Sequence, residues 1–338
     1  MIKVGVIGAG SWGTALAIQL NAVGQEVTVW SIIEEEVKFL TEKHEHIEKL
    51  PGVKIDERIK FTTDLEETIK DKDMLVLAVP SVFTRKTAHD MAKYVRYGQL
   101  IVSVAKGIEE ATLMTLEEVI REEIPNAEVA VLCGPSHAEE VSRSLPTAVV
   151  AGSKKKKVAE FVQAAFMDEN FRVYTSPDVL GMELGSSLKN VIALAAGMAD
   201  GLGYGDNTKA ALITRGIAEI TRLAVAMGAK HETLQGLTGI GDLIVTCASV
   251  HSRNRKAGYL MGQGKTMKEA TEEVKMVVEG VYSAKAAYML SKKYNVCMPI
   301  VEEVNRVLFE DLPAKEAVKE LMIRDKRIEH SDLCFDEE

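Results

Sequence analysis

Short apolar runs rich in β-branched residues alternate, in the first half of the chain, with stretches whose apolar residues recur at helical spacing. The runs predict buried strands, and the periodic stretches predict helices. We expect strands at Lys3–Ile7, Glu26–Trp30, Met74–Val79, Leu100–Ala105, Val129–Cys133, Thr147–Ala151 and Phe171–Tyr174. We expect helices between them at Thr14–Val23, Ile33–Lys43, Leu113–Glu123 and Lys155–Phe166. This alternation is typical of a parallel sheet with crossover helices.

Beyond Pro177 the strand patterns stop and helical periodicity continues. Helices are expected at Leu188–Met198, Leu212–Met227, Thr266–Val274, Tyr282–Lys292 and Ile300–Phe309. Glycine-rich turns at 200–207 and Gly236–Asp242 lie between helices, where backbone and ligand can approach closely. The pattern predicts an α/β domain with a doubly wound sheet at 1–178, an all-helical domain at 179–330 and a frayed tail at 331–338.

Length and charge narrow the range of functions. The chain has 338 residues, which at ~150 residues per domain corresponds to about two domains. Its 50 acidic residues outnumber its 41 basic ones, and the net charge of -9 argues against non-specific binding to nucleic acid or anionic membrane. The uncharged stretch Val4–Gln25 is interrupted early by glycines, so we do not expect it to span a membrane. An anionic substrate would need cations placed at its own site.

The cysteines give no sign of a scaffold. Four of them are spread along the chain without a CxxC pair, at positions 133, 247, 297 and 334. This spacing fits neither a disulfide framework nor a thiolate metal site. We therefore expect a reduced, cytoplasmic protein without a bound metal.

A glycine fingerprint follows the first predicted strand. Gly8, Gly10 and Gly13 stand between that strand and a helix. In dinucleotide-binding folds these positions allow a tight turn, close approach of the backbone to a pyrophosphate, and close helix packing. The helix N-terminus then supplies unpaired N–H donors to the phosphates. The motif predicts a dinucleotide site, and a purely structural glycine turn is the alternative.

The end of the second strand bears on the choice between NAD and NADP. An acid there binds the ribose 2′-hydroxyl of NAD, whereas a cation there binds the 2′-phosphate of NADP. This chain has Ser31 and Ile32, followed by Glu34, Glu35 and Glu36. Three nearby carboxylates favour NAD, although they would also complement the dipole of a following helix.

One lysine stands alone in a long apolar segment. Between Glu183 and Asp200 the only charged residue is Lys189. A desolvated amine has a lowered pKa, which suits proton transfer near neutral pH. The alternative is a lysine whose stem is buried and whose amine reaches water. Its neighbour Asn190 is a candidate to bind a substrate hydroxyl or to make a structural contact.

Two later segments carry further candidates for a substrate site. Asp242 and Thr246 are one helical turn apart and can face the same ligand. Four consecutive residues, Ser252, Arg253, Asn254 and Arg255, stand near a predicted helix start. A guanidinium beside small polar groups suits a phosphate, and a solvated basic turn is the alternative.

Polar residues also follow predicted sheet strands. Lys106 follows one strand, and Gly134 and Ser136 follow another. In doubly wound folds ligands bind at this carboxyl edge of the sheet. We therefore expect these three residues near the substrate.

With these segments in view, the chain resembles the bacterial NAD(P)-dependent glycerol-3-phosphate dehydrogenases. The resemblance extends from Val4 to about Arg327 and includes GAGSWGTALA, VPS, AKGIE, GPSHAEE, LKNVIALAAGMADGLG, NTKAALITRG, GIGDLIVTC, SRNR and VVEGV. It implies a homodimer with an N-terminal Rossmann-type domain and a helical substrate and dimerisation domain. It also implies reversible reduction of dihydroxyacetone phosphate to sn-glycerol 3-phosphate with NAD(P)H, supplying glycerophospholipid synthesis.

The resemblance assigns roles by position. The cofactor contacts it implies are Ser11, Trp12, Lys106, Ala138, Arg253, Val277 and Glu279, to which the glycine fingerprint adds Gly8, Gly10 and Gly13. The substrate contacts it implies are Lys106, Gly134, Ser136, Lys189, Asp242, Ser252, Arg253 and Asn254, to which the residue patterns add Asn190 and Thr246. Lys189 matches the catalytic lysine, Asp242 would orient it, and Lys106 would bridge substrate and cofactor.

One position departs from the family, and two other functions compete with it. Many members have Arg or His where this chain has Ile32, so the resemblance alone does not distinguish NAD from NADP as the preferred cofactor. A related dehydrogenase of hydroxyacids or acyl thioesters would not need the Ser252–Arg255 cluster. A nucleotide sensor without turnover would not need Lys189 together with Asp242.

Overall fold

The computed structural model describes residues 1–326 and 328–329, and an eight-stranded sheet forms its first half. The strand order is β10-β9-β8-β7-β6-β1-β2-β5, and β3 and β4 form a separate antiparallel pair. The strands are β1 Lys3–Ile7, β2 Glu26–Trp30, β3 Glu45–His46, β4 Leu50–Lys54, β5 Lys60–Thr62, β6 Met74–Leu77, β7 Leu100–Ser103, β8 Glu128–Cys133, β9 Thr147–Gly152 and β10 Phe171–Ser176. All seven predicted strands are confirmed, with shifts at some of their ends.

Three short strands were not predicted. β5 has only three residues and lies at the edge of the sheet. β4 contains Pro51 and Gly52, which interrupt the alternation of apolar and polar residues that marks a strand. Together with β3 it forms a hairpin after the second helix, and this hairpin becomes important for the cofactor site.

The sheet is not entirely parallel, which corrects the expectation from sequence. β9 runs antiparallel to β8, with Val131 opposite Gly152 and Cys133 opposite Val150. A parallel connection needs a crossover of a dozen or more residues, usually a full helix. The segment between these strands contains only a four-residue helix, Ala138–Val141. The chain therefore turns back at the carboxyl edge, which keeps residues 134–138 at that edge.

Sixteen α-helices complete the described chain. Those in the α/β half are α1 Ser11–Ala22, α2 Glu34–Lys43, α3 Leu65–Ile69, α4 Thr84–Ala92, α5 Leu116–Glu123, α6 Ala138–Val141 and α7 Lys156–Phe166. Those that follow are α8 Val179–Gly201, α9 Asp206–Ala226, α10 His231–Leu234, α11 Asp242–Ala248, α12 Arg253–Gly262, α13 Met267–Val274, α14 Glu279–Lys293, α15 Pro299–Phe309 and α16 Ala314–Met322. Every predicted helix is present, and the predicted frayed tail lies outside the described residues.

The long helix α8 is the centre of the helical half. It packs against α9, α11, α12 and α14, and it is twice as long as the segment predicted from sequence. It contacts α12 through glycines: a Cβ at Gly197 would lie 2.1 Å from the Arg255 carbonyl oxygen, and one at Gly258 would lie 2.1 Å from that of Leu194. Only glycine, which has no Cβ, allows the backbones of α8 and α12 to approach each other this closely. The start of α12 is thereby held beside the middle of α8.

By length and composition α8 could cross a membrane, but 89% of its apolar window is buried inside the protein. Such burial is typical of a core helix. The predicted turn at Gly236–Asp242 is in fact a π-helical turn, Leu237–Gly241, that continues into α11. Gly239 makes this possible, because a Cβ there would lie 2.0 Å from the Leu234 carbonyl oxygen. The turn at 200–207 is confirmed, since α8 ends at Gly201 and α9 begins at Asp206.

Candidate active site

The glycine loop between β1 and α1 has the geometry of a pyrophosphate cradle. Gly8 has a φ of 118°, and a Cβ there would lie 2.9 Å from the Ala78 carbonyl oxygen. A Cβ at Gly13 would lie 2.0 Å from the Gly8 carbonyl oxygen, whereas one at Gly10 would meet nothing within 4 Å. The start of α1 has no side-chain cap. Backbone donors at the helix N-terminus therefore face open space beside Gly10, as a phosphate group requires.

Side chains next to this loop also fit a dinucleotide. Ser11 and Trp12 begin α1, and Trp12 Nε1 is buried without a hydrogen-bond partner among the described residues. Ala138 begins α6, which packs against α1. A buried donor without a partner costs free energy unless a ligand accepts from it. The residues present therefore fit a bound nicotinamide dinucleotide.

The start of α14 approaches the same region from the helical half. Val277 precedes this helix and Glu279 is its first residue. The Ser81 backbone N–H donates to Glu279 Oε1 at 3.0 Å, and the Ser81 hydroxyl donates to Oε2. Burial raises the pKa of Glu279, while the hydrogen bonds from Ser81 oppose that shift. These contacts join α14 to the loop that follows β6.

The predicted catalytic residues meet around one buried carboxylate. Lys189 Nζ donates to Asp242 Oδ1, and Lys106 Nζ donates to Asp242 Oδ2 at 2.9 Å. Lys189 also donates to the Thr246 hydroxyl at 2.7 Å, and that hydroxyl donates to the Asp242 carbonyl oxygen at 2.6 Å. Asp242 is fully buried and Lys189 is 5% exposed. Three distant segments thus form one network of two cations and one anion.

The buried environment of Lys189 lowers the pKa of its amine. Burial, together with the charge of Lys106, lowers the pKa of Lys189 to about 7, although Asp242 opposes the shift. Burial outweighs the attraction of Asp242 because that carboxylate is shared with the second lysine. An amine with a pKa near 7 can both donate and accept a proton at neutral pH. The lysine does not extend to water, which was the alternative from sequence.

Lys106 holds the carboxyl edge of the sheet together. Its Nζ donates to the Gly134 carbonyl oxygen at 2.9 Å, and the Ser136 hydroxyl donates to the same oxygen at 3.0 Å. Lys106 therefore links the end of β8 to the Asp242 carboxylate. Gly134 has a positive φ, 147°, and its carbonyl is already engaged by protein groups.

Asn190 and Asn254 connect three helices. Asn254 Nδ2 donates to Asn190 Oδ1 at 2.9 Å, and the Gly280 N–H donates to Asn254 Oδ1 at 2.8 Å. The structural contact foreseen for Asn190 is present. Within the described residues, each amide keeps at least one N–H without a hydrogen-bond partner.

The two arginines of the 252–255 cluster differ in their surroundings. Arg255 Nε donates to Asp200 Oδ2 at 2.7 Å, and Arg255 Nη2 lies 2.6 Å from the same oxygen in an ion pair. The Arg253 guanidinium forms no ion pair in the part of the chain that the structure describes. Burial lowers the pKa of Arg253, opposed by the more distant charges of Glu279 and Glu139. Ser252 caps α12 by accepting from the Arg255 N–H at 3.2 Å. Arg253 is thus the cation available to a phosphate.

Sequence reasoning missed two groups near these sites. His137 Nε2 is buried without a partner among the described residues, and its ring lies 5.9 Å from that of His251. Burial and the charges of Lys189 and Lys106 lower the pKa of His137. The sequence feature that could have identified His137 is its position within the GPSHAEE segment. The second group, Lys49 and His46 around Glu36, lies on the β3–β4 hairpin, which no sequence pattern predicted.

Comparisons with known proteins point to one family. Residues 3–159 match the model of the NAD-dependent glycerol-3-phosphate dehydrogenase N-terminus, and residues 178–319 match that of its C-terminus. A glycerol-3-phosphate dehydrogenase [NAD(P)+] of Agathobacter rectalis is 73% identical over 98% of this chain and 99% of its own length. One from Fusobacterium nucleatum is 56% identical, over 97% and 99%. The crystal structure of glycerol-3-phosphate dehydrogenase from Coxiella burnetii is 36% identical with a TM-score of 0.92, over 96% of this chain and 99% of that one.

Proposed function

The chain belongs to the NAD-dependent glycerol-3-phosphate dehydrogenase family, and on this premise we propose that it reduces dihydroxyacetone phosphate reversibly to sn-glycerol 3-phosphate. NADH or NADPH, bound at the glycine loop, supplies the hydride that C2 of the substrate accepts. The observation that carries the proposal is the buried Lys189–Asp242–Lys106 network at the carboxyl edge of the sheet. A nucleotide sensor has no need for a buried amine poised for proton transfer.

Lys189 is the proposed proton donor and acceptor. As the carbonyl oxygen on C2 becomes an alkoxide, the Lys189 ammonium gives that oxygen a proton, and in the oxidative direction the neutral amine removes the proton from the C2 hydroxyl. Its pKa of about 7 allows both roles at neutral pH. We propose that Thr246 acts through Lys189 rather than on the substrate, because its hydroxyl donates to the Asp242 carbonyl and accepts from the lysine.

Asp242 and Lys106 support this transfer. The Asp242 carboxylate accepts from both amines and offsets part of their positive charge. Lys106 places a second cation at the sheet edge, where it stabilises the developing oxyanion and bridges toward the cofactor. Ser136 and Gly134 keep Lys106 in that position.

The substrate phosphate is held at the start of α12. Arg253 offers a guanidinium without an internal partner in the described chain, and Ser252 and Asn254 offer smaller donors on either side. Asn190 adds an amide N–H from α8. A guanidinium also binds carboxylates, so it is the family match, together with the small polar donors beside Arg253, that favours the phosphorylated substrate over a hydroxyacid.

The proposal also assigns the two ligands to the two halves of the chain and names the cofactor contacts. We assign the dinucleotide to residues 1–178 and the substrate to residues 179–330. Ala138 contributes its cofactor contact from the α/β half, and Val277 and Glu279 contribute theirs from the start of α14 in the helical half.

Two statements concern the cellular context. We propose a cytoplasmic enzyme whose product supplies glycerophospholipid synthesis, because that product is the backbone of those lipids.

We also propose a homodimer. Tyr282 and Met289 are each 40% exposed and lie on one face of α14, and Phe309 at the end of α15 is 45% exposed. Light scattering should give twice the chain mass, and a monomer mass would contradict the dimer.

The decisive experiment follows the absorbance of the reduced nicotinamide. The purified chain should oxidise NADH or NADPH with dihydroxyacetone phosphate and leave a 2-keto acid unreduced. Equal turnover of the keto acid would indicate the hydroxyacid function. Cofactor binding without turnover of either compound would indicate a sensor.

A further inference from the structure

A second carboxylate of the helical half is shared by two cations, and the proposed mechanism does not use it. Asp200 lies near the end of α8, and its Oδ2 accepts from Arg255 Nε at 2.7 Å and pairs with Arg255 Nη2 at 2.6 Å. Lys209 Nζ lies 2.8 Å from the other oxygen, Oδ1. Only 12% of the Asp200 side chain is exposed. Because each oxygen has its own cation, this carboxylate joins α8, α9 and α12.

The pair concerns the phosphate site because Arg255 lies two residues after Arg253 on α12. Successive residues of an α-helix are about 100° apart around its axis, so these two side chains leave the helix on nearly opposite sides. The charges that act on Arg253 come from Glu279 in α14 and Glu139 in α6, whereas Arg255 is held against α8. The Asp200–Arg255 pair therefore turns Arg253 away from the end of α8.

The pair adds a charged restraint to a helix contact made mainly of backbone. The backbones of α8 and α12 meet through Gly197 and Gly258, and glycine has no side chain to interlock with the opposite helix. The Asn254 amide adds a neutral hydrogen bond to Asn190 at 2.9 Å. Hydrogen bonds between charged groups are roughly twice as strong as neutral ones. The ion pair with Asp200 is therefore expected to restrain the first turn of α12 more strongly than this neutral contact does.

Lys209 restrains the carboxylate itself. With Lys209 at Oδ1 and Arg255 at Oδ2, rotation of the Asp200 carboxylate would break at least one ion pair. Loss of the Asp200 charge would leave the two cations without their shared anion, and like charges repel. The cluster has two cations around one anion, as the network around Lys189 does, but it lies on the side of α12 away from Arg253.

We propose that Asp200 is a positioning residue for the substrate phosphate: by holding Arg255 it fixes the first turn of α12 in the orientation that presents Arg253 to the phosphate. The inference rests on the proposed function in taking the start of α12 as the phosphate site. Asp200 acts through Arg255 and not on the substrate. Loss of the pair should therefore weaken binding of the phosphate and leave proton transfer at Lys189 intact.

The test compares two variants that break the same pair with opposite changes of net charge. Asp200→Asn removes a negative charge, and Arg255→Met removes a positive one. In steady-state assays with the intact protein, each should raise KM for dihydroxyacetone phosphate by about three- to tenfold, as expected for one partly exposed ion pair. The kcat of each variant should stay within about twofold of the parent. Opposite changes of KM in the two variants would reveal an effect of net charge and would overturn the proposal.

Unphosphorylated dihydroxyacetone separates positioning of the phosphate contact from a general defect. Its kcat/KM should change by less than about twofold in both variants, because it has no phosphate for Arg253 to hold. An equal loss for both substrates would overturn the proposal. Asp90→Asn is the matched control, since it removes an acid from an exposed pair with Lys86. It should leave the kinetics of both substrates unchanged.

The double variant tests whether Asp200 acts through Arg255. Adding Asp200→Asn to Arg255→Met should raise KM no further than Arg255→Met alone does, because the pair is already broken. Effects that multiply would assign Asp200 a separate role and refute the proposal. Thermal unfolding checks that each variant is folded. If Asp200→Asn does not fold, Arg255→Met alone decides the question, by a raised or an unchanged KM.

Calorimetric titration with glycerol 3-phosphate repeats the comparison without turnover. Both single variants should bind it about three- to tenfold more weakly than the parent does. Failure of the parent to reduce dihydroxyacetone phosphate would overturn the proposed function, while a calorimetric loss in both variants would still support the positioning role. Normal turnover in the parent, with unchanged KM and unchanged affinity in both variants, would overturn the positioning role alone.

Discussion

The nucleotide end and the chemical end of this cleft are built in different ways. The pyrophosphate cradle comes from one continuous segment, Gly8–Gly13, and it uses backbone geometry and a free helix start. The chemical end joins Lys106, Lys189 and Asp242 from three segments and uses buried charge. A backbone cradle tolerates water and small shifts. A buried ion network depends on every partner, because an unpaired buried charge is costly.

The largest effect is expected from removing the amine of the chemical end. Lys189→Met keeps the volume of the side chain, and Asp242 retains Lys106 as a partner, so we expect a folded protein that binds cofactor. Loss of proton transfer should lower kcat by ~10²–10⁴-fold. The measurement is steady-state turnover of dihydroxyacetone phosphate together with calorimetric cofactor binding.

Lys292→Ala provides the control, since it removes an exposed amine of α14 that pairs with Glu302. It should leave turnover unchanged. Turnover of Lys189→Met within about tenfold of the parent, or ~1.4 kcal/mol of barrier, would contradict the role of Lys189.

The second-largest effect is expected from removing the guanidinium of Arg253 at the proposed phosphate site. Arg253→Ala should weaken use of dihydroxyacetone phosphate by roughly 1.5–3 kcal/mol, because a charged hydrogen bond to phosphate is lost. Use of unphosphorylated dihydroxyacetone should change much less. The comparison of kcat/KM for the two substrates separates a phosphate contact from a general defect. An equal loss for both would assign Arg253 to the cofactor alone.

The pH profile tests the chemical end without a substitution. Reduction needs protonated Lys189, so kcat/KM for dihydroxyacetone phosphate should be level below pH about 7 and fall above it, by up to about tenfold per unit. Oxidation of glycerol 3-phosphate needs the neutral amine, so its kcat/KM should rise up to about 7 and then level off. A common inflection near the ordinary lysine value of 10.5 would contradict the lowered pKa.

The contrast between the two ends explains what the sequence predicts and what it does not. The glycine loop is predictable because its spacing within one segment determines its geometry. Lys189 stands out as an isolated charge, but its partner Asp242 is 53 residues away, and Lys106 is 136 residues from Asp242. No periodicity encodes such distances, and only the family resemblance brought these residues together.

Two further features depend on tertiary structure alone. Arg253 and Arg255 are equivalent in the sequence, and only the position of Asp200 shows that Arg255 is already paired. Lys49 reaches Glu36 through a hairpin whose strand contains Pro51 and Gly52. The antiparallel β9 likewise follows a connection that holds only the four-residue helix Ala138–Val141 instead of a full crossover helix, which propensity does not reveal. Local sequence patterns therefore predict the strands and the glycine loop better than they predict which charged side chains form pairs.

The smallest expected effect concerns the nucleotide end alone. The parent should use NADH better than NADPH, because Ile32 offers no cation at the end of β2 and Glu36 retains its charge there. Ile32→Arg should raise kcat/KM with NADPH by at most about tenfold, since Ile32 is 76% exposed and an exposed ion contact contributes little. Ile323→Arg adds the same charge at a 66% exposed position far along the chain and should change neither cofactor. Both efficiencies are measured at one salt concentration, because screening alters such contacts. A parent that already prefers NADPH would show that the charge of Lys49 outweighs that of Glu36. The nucleotide end and the chemical end would then resemble each other, because both would bind their ligand through a cation.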